Sequence, residues 1–151
     1  MNVPKGKIVA VCRSEKTGER KEPCPSVLLM EDYGIAGDAH AGEDTHRQVS
    51  LLAVESIEKM KRKGIEIGYG DFAENLAVSG LKLHLLPPGT RLCVAGRVVL
   101  EVTQIGKACH NKGCSIFRQV GTCIMPKEGI FSRVIAGGEV KAGDSIEVMK
   151  K

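Results

Sequence analysis

Only one stretch of this chain, Val54 to Lys63, has the periodicity of an amphipathic helix. Its apolar residues Val54, Ile57 and Met60 recur at helical spacing, charged residues fill the positions between them, and Gly64 supplies a stop. The remaining apolar residues fall in short runs broken by glycine and proline. Gly6 to Cys12, Val27 to Met30, Arg47 to Ala53, Leu76 to Val78, Thr90 to Ala95, Val98 to Thr103 and Ser145 to Val148 read as strands. Gly96-Arg97 marks a tight hairpin between two of them, although Ala95-Gly96 is a weaker signal than Asn-Gly. Gly18 to Pro25 reads as a polar loop. Tyr33 to Glu43 holds Gly34, Gly37 and Gly42, and with Gly68 to Asn75 it forms a second class of loop with unusual backbone angles. A doubly wound nucleotide-binding fold needs helices alternating with its strands, and this chain lacks them. The expected fold is mostly β, a closed β-barrel with a few short helices, in one domain over residues 1–151.

A chain of 151 residues can bury a core without disulfide staples. At 42% hydrophobic and 26% charged it does not have the composition of a disordered protein. Aromatic residues make up 3% and tryptophan is absent, which argues against base-stacking modules, so no nucleic-acid partner is expected. The net charge of +4 is mild and spread along the chain, a solvated surface that permits an anionic ligand without demanding one. No apolar run approaches the ~20 residues needed to span a bilayer. The N-terminal residues lack the apolar centre of a secretory signal. A cytoplasmic location, no membrane contact and six reduced cysteines are therefore expected.

Three polar clusters lie beside glycine-rich turns, where backbone amides can approach a ligand closely. One is Gly37 to Gly42 with His40, followed by His46-Arg47-Gln48. The second is Asp71 to Asn75, and the third is Cys109-His110, Cys114 and Cys123, with Lys127 and Arg133 downstream. Each has an ordinary structural explanation. His40 can satisfy neighbouring backbone groups, Asp71 and Asn75 can be turn residues, and Arg47 can be a surface charge. Cys12 and Cys93 lie in apolar runs and read as core, while Cys24, between two prolines, reads as a loop thiol. Cys109 differs, with polar neighbours at the end of a strand-like run. Zinc held by Cys109, His110, Cys114 and Cys123 lacks the paired spacing of structural sites, and a resolving role for Cys114 or Cys123 stays open.

The segments GIAGDAHAGEDTHRQVSLL, GDFAENLAVSGL, PPGTRLCVAGRVVLEVTQIGKACH and GIFSRVIAGGEVKAGDSIEV, in this order, resemble the MOSC domain family. The family takes its name from the C-terminal domain of molybdenum cofactor sulfurase, and the chain is most similar to its stand-alone bacterial forms. The resemblance implies a barrel like that of pyruvate kinase and a role in sulfur or molybdenum-cofactor handling. The family's functional cysteine matches Cys109. The resemblance implies either that Cys109 accepts persulfide sulfur from a cysteine desulfurase or that it ligates molybdenum. Pyridoxal phosphate would then belong to the partner desulfurase, and the recipients would be molybdopterin-biosynthesis proteins or molybdoenzymes.

For such a role, Lys107 and His110 would favour the Cys109 thiolate. Arg47, Arg133 and Lys127 suit the phosphate of molybdopterin, and His40, Gln48 and Asn75 suit a pterin edge or oxo groups, with His110 in the same cofactor-binding set. Two alternatives remain open: a molybdenum-cofactor oxidoreductase acting on N-hydroxylated compounds, and a non-catalytic module that delivers molybdopterin.

Overall fold

The helix sits where the sheet topology requires a crossover. The computed structural model describes residues 4–14, 21–39, 41–64, 68–70, 72, 74–106 and 128–149. In it β5 (Val49–Ala53) and β6 (Leu76–Ser79) run parallel, with Leu51 opposite Leu76 and Ala53 opposite Val78. Parallel neighbours cannot be joined by a tight turn, and α1 (Val54–Lys61) begins directly after β5 on the way to β6. The other pairings among the described strands are antiparallel.

Seven strands close the barrel. From β5 the ring runs one way through β6 to β1 (Lys5–Arg13). The other way it runs through β9 (Ile130–Ala136), β8 (Val98–Ile105) and β7 (Arg91–Val94) to β11 (Ser145–Val148), which pairs with β1. Closure removes the open edges that a sheet would otherwise expose. A short β2 (Glu22–Cys24) extends the far half of β1. A smaller sheet places β3 (Ser26–Met30) between β4 (Gly34–Ile35) and β10 (Gly138–Lys141), and adds Val27, Leu29, Ile35 and Val140 to the barrel core.

β5 is buried on both faces, and its period of two explains the layering. Val49, Leu51 and Ala53 join Ile8, Val78, Leu100 and Val134 inside the barrel. Leu52 instead joins Ile57 and Met60 of α1, together with Ala10, Cys12, Ala77, Phe72 and Phe131, in a second cluster. The apolar stripe read from the sequence is thus the face α1 lays on the barrel wall. A 3-10 turn, Leu83–Leu85, follows β6. Among the described residues no helix is long and apolar enough to cross a membrane.

Several boundaries differ from the sequence reading. The strand expected over Arg47 to Ala53 begins only at Val49, which leaves Arg47 and Gln48 in the loop before it. Part of the loop expected over Gly18 to Pro25 is β2, an edge position where prolines are tolerated, so Cys24 ends a strand and is half-buried. Cys12 is fully buried as expected, but Cys93 is only half-buried. The β7–β8 hairpin turns through Ala95, Gly96 and Arg97, with positive φ at Ala95 (56°) and Gly96 (74°), so the expected Gly96-Arg97 lies in the turn and Ala95 joins it.

Candidate functional site

The site is built around an irregularity in β8. Val102 pairs with Ser132 and Gln104 with Phe131, so Thr103 is an extra residue in the ladder. Such a bulge re-aims the side chains beside it. The Thr103 hydroxyl donates to the carbonyl of His46 at 2.6 Å, which draws the loop before β5 against the end of β8. Gln104 then takes a central place. Its Oε1 accepts from Arg47 Nε at 3.0 Å and lies 2.8 Å from His46 Nε2, and its Nε2 donates to the Gly106 carbonyl at 2.6 Å.

Arg47 is therefore held while it faces solvent. Its guanidinium carbon lies 5.7 Å from the centre of the Phe131 ring, a cation–π contact that orients the planar group. No described residue bonds its two terminal nitrogens. A fixed fork with free donors is the arrangement that binds a phosphate or carboxylate through paired hydrogen bonds.

Gln48, next in the chain, has a different task. It is fully buried, and its carboxamide accepts from Val134 N at 3.0 Å while donating to the Gly42 carbonyl at 3.1 Å and to Asp32 Oδ1 at 3.2 Å. Arg133 donates to the same Asp32 oxygen at 2.7 Å. The hydrogen bonds from Arg133 and Gln48 hold the Asp32 carboxyl below its ordinary range. Asp32 in turn raises the Arg133 guanidinium above its usual value. Arg133 thus has a carboxylate partner that Arg47 lacks among the described residues, and Gln48 fastens the loop to β9.

Asn75 is also fully buried. Its Oδ1 accepts from the Ser50 amide at 2.9 Å and hydroxyl at 3.1 Å, and its Nδ2 donates to the Cys12 carbonyl at 3.1 Å. It ties β5 to β1 at the start of β6. Nearby backbone is held by the buried Glu74, whose carboxylate accepts from Gly70 N and Phe72 N at 2.8 and 3.1 Å. A buried ion pair joins Lys21 to Asp38 at 2.6 Å, and Asp38 also accepts from Ser14 N.

The remaining proposed site residues, Cys109, His40, His110 and Lys127, lie outside the described residues, as do Lys107, Asp71, Cys114 and Cys123. What the structure gives is the frame on either side of Cys109. Gly106, three residues before it, donates to the Gly129 carbonyl at 2.6 Å. Glu128 accepts from Ser56 Oγ at 2.6 Å and Lys59 Nζ at 2.5 Å of α1. Burial pushes the Glu128 carboxyl up, but the hydrogen bonds from Lys59 and Ser56 and the charges of Lys59 and His84 outweigh it and hold it below the usual value. Among the described residues no three His, Cys, Asp or Glu side chains converge on a metal-binding position.

The structure thus brings Arg47 and Gln48 to the β8–β9 wall, with Arg133 joined to Gln48 through Asp32. It also adds Thr103, Gln104 and Asp32, which the sequence did not single out for the site, and gives a partner to His46, which the sequence had named in a polar cluster without a role. Only the His46-Arg47-Gln48 adjacency offered any signal for His46. The bulge that recruits Gln104 has no signature in one sequence.

Comparison with known proteins agrees with this architecture. The MOSC domain family model matches residues 36–147. The YuaD protein of Bacillus subtilis superposes with a TM-score of 0.78 at 23% identity, over 95% of both chains. YiiM from Geobacillus stearothermophilus gives a TM-score of 0.65 at 19% identity, over 96% of this chain and 75% of that one. YiiM from Escherichia coli gives 0.60 at 20% identity, over 100% and 71%. At these identities the likeness is one of fold. No curated protein matches the sequence significantly. With a family model covering most of its length and a barrel of matching topology, the chain belongs to the MOSC domain family.

Proposed function

We propose that this domain handles the molybdenum cofactor and its sulfur, with Arg47 anchoring the phosphate of a molybdopterin-type ligand and Cys109 accepting sulfur. The observation that carries the reading is the fixed, solvent-facing fork of Arg47, gripped through Gln104 at the end of the strand that leads to Cys109.

The anion site fits the proposed ligand. Arg47 supplies two terminal nitrogens that no described residue bonds, and His46 lies beside it on the same carboxamide. Gln48 and Asn75 act here as positioning residues, since their carboxamides hold the walls of the site from within. A bound cofactor would supply a metal centre that takes up soft sulfur ligands.

The sulfur step needs no oxidant. The Cys109 thiolate attacks the outer sulfur of a donor persulfide, a new S–S bond forms, and the donor's own S–S bond breaks. The donor cysteine leaves as thiolate, and Cys109 holds the transferred sulfur as a persulfide. A pyridoxal-phosphate cysteine desulfurase is the chemical class of donor that makes such a persulfide.

Incubation with a desulfurase and cysteine, followed by intact-mass and peptide mass spectrometry, should show one added sulfur on Cys109. An unmodified chain, or the same adduct in Cys109→Ala, would refute the carrier role. Stoichiometric molybdenum that is retained after reconstitution and lost in Cys109→Ser would instead favour Cys109 as a metal ligand.

A further inference from the structure

We propose that Asp32 is a specificity-determining residue of the Arg47 anion site: by occupying Arg133 it restricts the site to a single phosphate group, a phosphomonoester rather than a diphosphate. The inference rests on the reading of Arg47 as a phosphate anchor and adds which phosphate that anchor accepts.

Both arginines lie against the outer face of β9. Ile130 and Val134 point into the barrel core, and Phe131 into the cluster outside it. With a period of two, Arg133 leaves the strand on the same side as Phe131, about 6.8 Å further along. The Arg47 guanidinium lies 5.7 Å from the centre of the Phe131 ring. Two arginines placed this close on one face suit a diphosphate, each taking one phosphate through paired hydrogen bonds.

Asp32 withholds the second arginine. Its Oδ1 accepts from Arg133 at 2.7 Å. A surface ion pair is ordinarily loose and worth little, but this carboxylate is set in place. The same oxygen accepts from the fully buried Gln48 at 3.2 Å, and the Asp32 amide donates to the Val134 carbonyl at 2.8 Å. Arg47 differs, since its Nε is bonded to the neutral carboxamide of Gln104. A diphosphate must therefore displace Asp32 or leave Arg133 unused, and the carboxylate repels its second phosphate. A single phosphate on Arg47 meets neither obstacle.

The test is an amide-resolved NMR titration of the full chain with inorganic phosphate and with pyrophosphate at low ionic strength, followed at Arg47 and Arg133. Asp32 holds φ +49°, a left-handed conformation that asparagine also tolerates, so Asp32→Asn removes the charge and keeps the turn. It should raise the ratio of pyrophosphate to phosphate affinity about three- to five-fold, the effect of one exposed charge pair. Glu31→Gln removes the same charge from the neighbouring exposed residue and should leave the ratio within about twofold. Adding Arg133→Gln to Asp32→Asn should cancel the rise. A ratio unchanged in both Asp32→Asn and Asp32→Gly, an equal rise in Glu31→Gln, or a rise that survives Arg133→Gln would overturn the proposal and leave the Arg47 anchor standing. Phosphate binding that is absent, or unchanged by Arg47→Gln, would overturn the anchor and the proposal with it.

Discussion

Replacing Gln48 by methionine separates a structural carboxamide from a ligand-binding one. Methionine keeps the length of the side chain and removes only its hydrogen bonds. Gln48 is fully buried, and its Oε1 is the acceptor for the amide of Val134, itself almost fully buried. Leaving a buried N–H unpaired costs about 1–3 kcal/mol. The half-buried Gly42 carbonyl loses its donor too, but water can partly replace it, which adds about 0.5–1 kcal/mol. The expected destabilisation is about 2–3 kcal/mol. The chain has no tryptophan, so unfolding in urea is best followed by far-ultraviolet circular dichroism. With a slope of about 2 kcal/mol per molar urea, the midpoint should fall by roughly 1–1.5 M. Gln48→Glu adds a second signature. It keeps the acceptor for Val134 but sets a buried carboxylate beside Asp32, which raises its folded-state pKa above the unfolded ~4.3. Its penalty should be absent below about pH 4.3 and grow as the pH rises above it. A midpoint for Gln48→Met within about 0.3 M of the parent would refute the structural role and return Gln48 to the list of direct cofactor ligands.

Arg47→Lys should weaken molybdopterin binding about tenfold in isothermal titration, because the planar fork is lost, while stability changes by less than about 1 kcal/mol; equal affinity would remove Arg47 from the anion site. Glu128 has a folded-state pKa below its ordinary 4.5, so its bonds to α1 stabilise the fold above that value and are lost as the pH falls through the lowered one. Thermal melts of parent and Glu128→Gln should therefore differ at neutral pH and converge in acid; a constant difference would refute the assignment. Gly70 sits at φ +92°, and a Cβ there would overlap the Lys21 carbonyl. Gly70→Ala should destabilise by about 3 kcal/mol or more in the same urea assay, and a change below about 1 kcal/mol would show that this backbone is not fixed.

The residues whose roles were legible in advance are those whose patterns are local. Val54, Ile57 and Met60 announce the helix by spacing alone, and Val98 to Thr103 announce a strand as a short run rich in β-branched residues. β9 is not among the strands read from the sequence, because Ser132 and Arg133 interrupt its apolar run, and their places come from pairing with β5 and β8. Arg47 and Gln48 are neighbours in the chain, yet one faces solvent and the other is buried as a brace. No composition or period distinguishes them, since the difference arises where β5 meets β9.

By itself, then, the sequence determined the class of fold, the crossover helix and the family, because short β-branched runs, turn glycines and ordered motifs are written locally along the chain. Tertiary structure alone decided which polar residues are free to act. Closure of the barrel buries Gln48 and Asn75, the extra residue in β8 turns Gln104 onto Arg47, and the fold places Asp32 beside Arg133. Each of these depends on contacts between segments far apart in sequence, whose geometry is fixed only when the strands are packed.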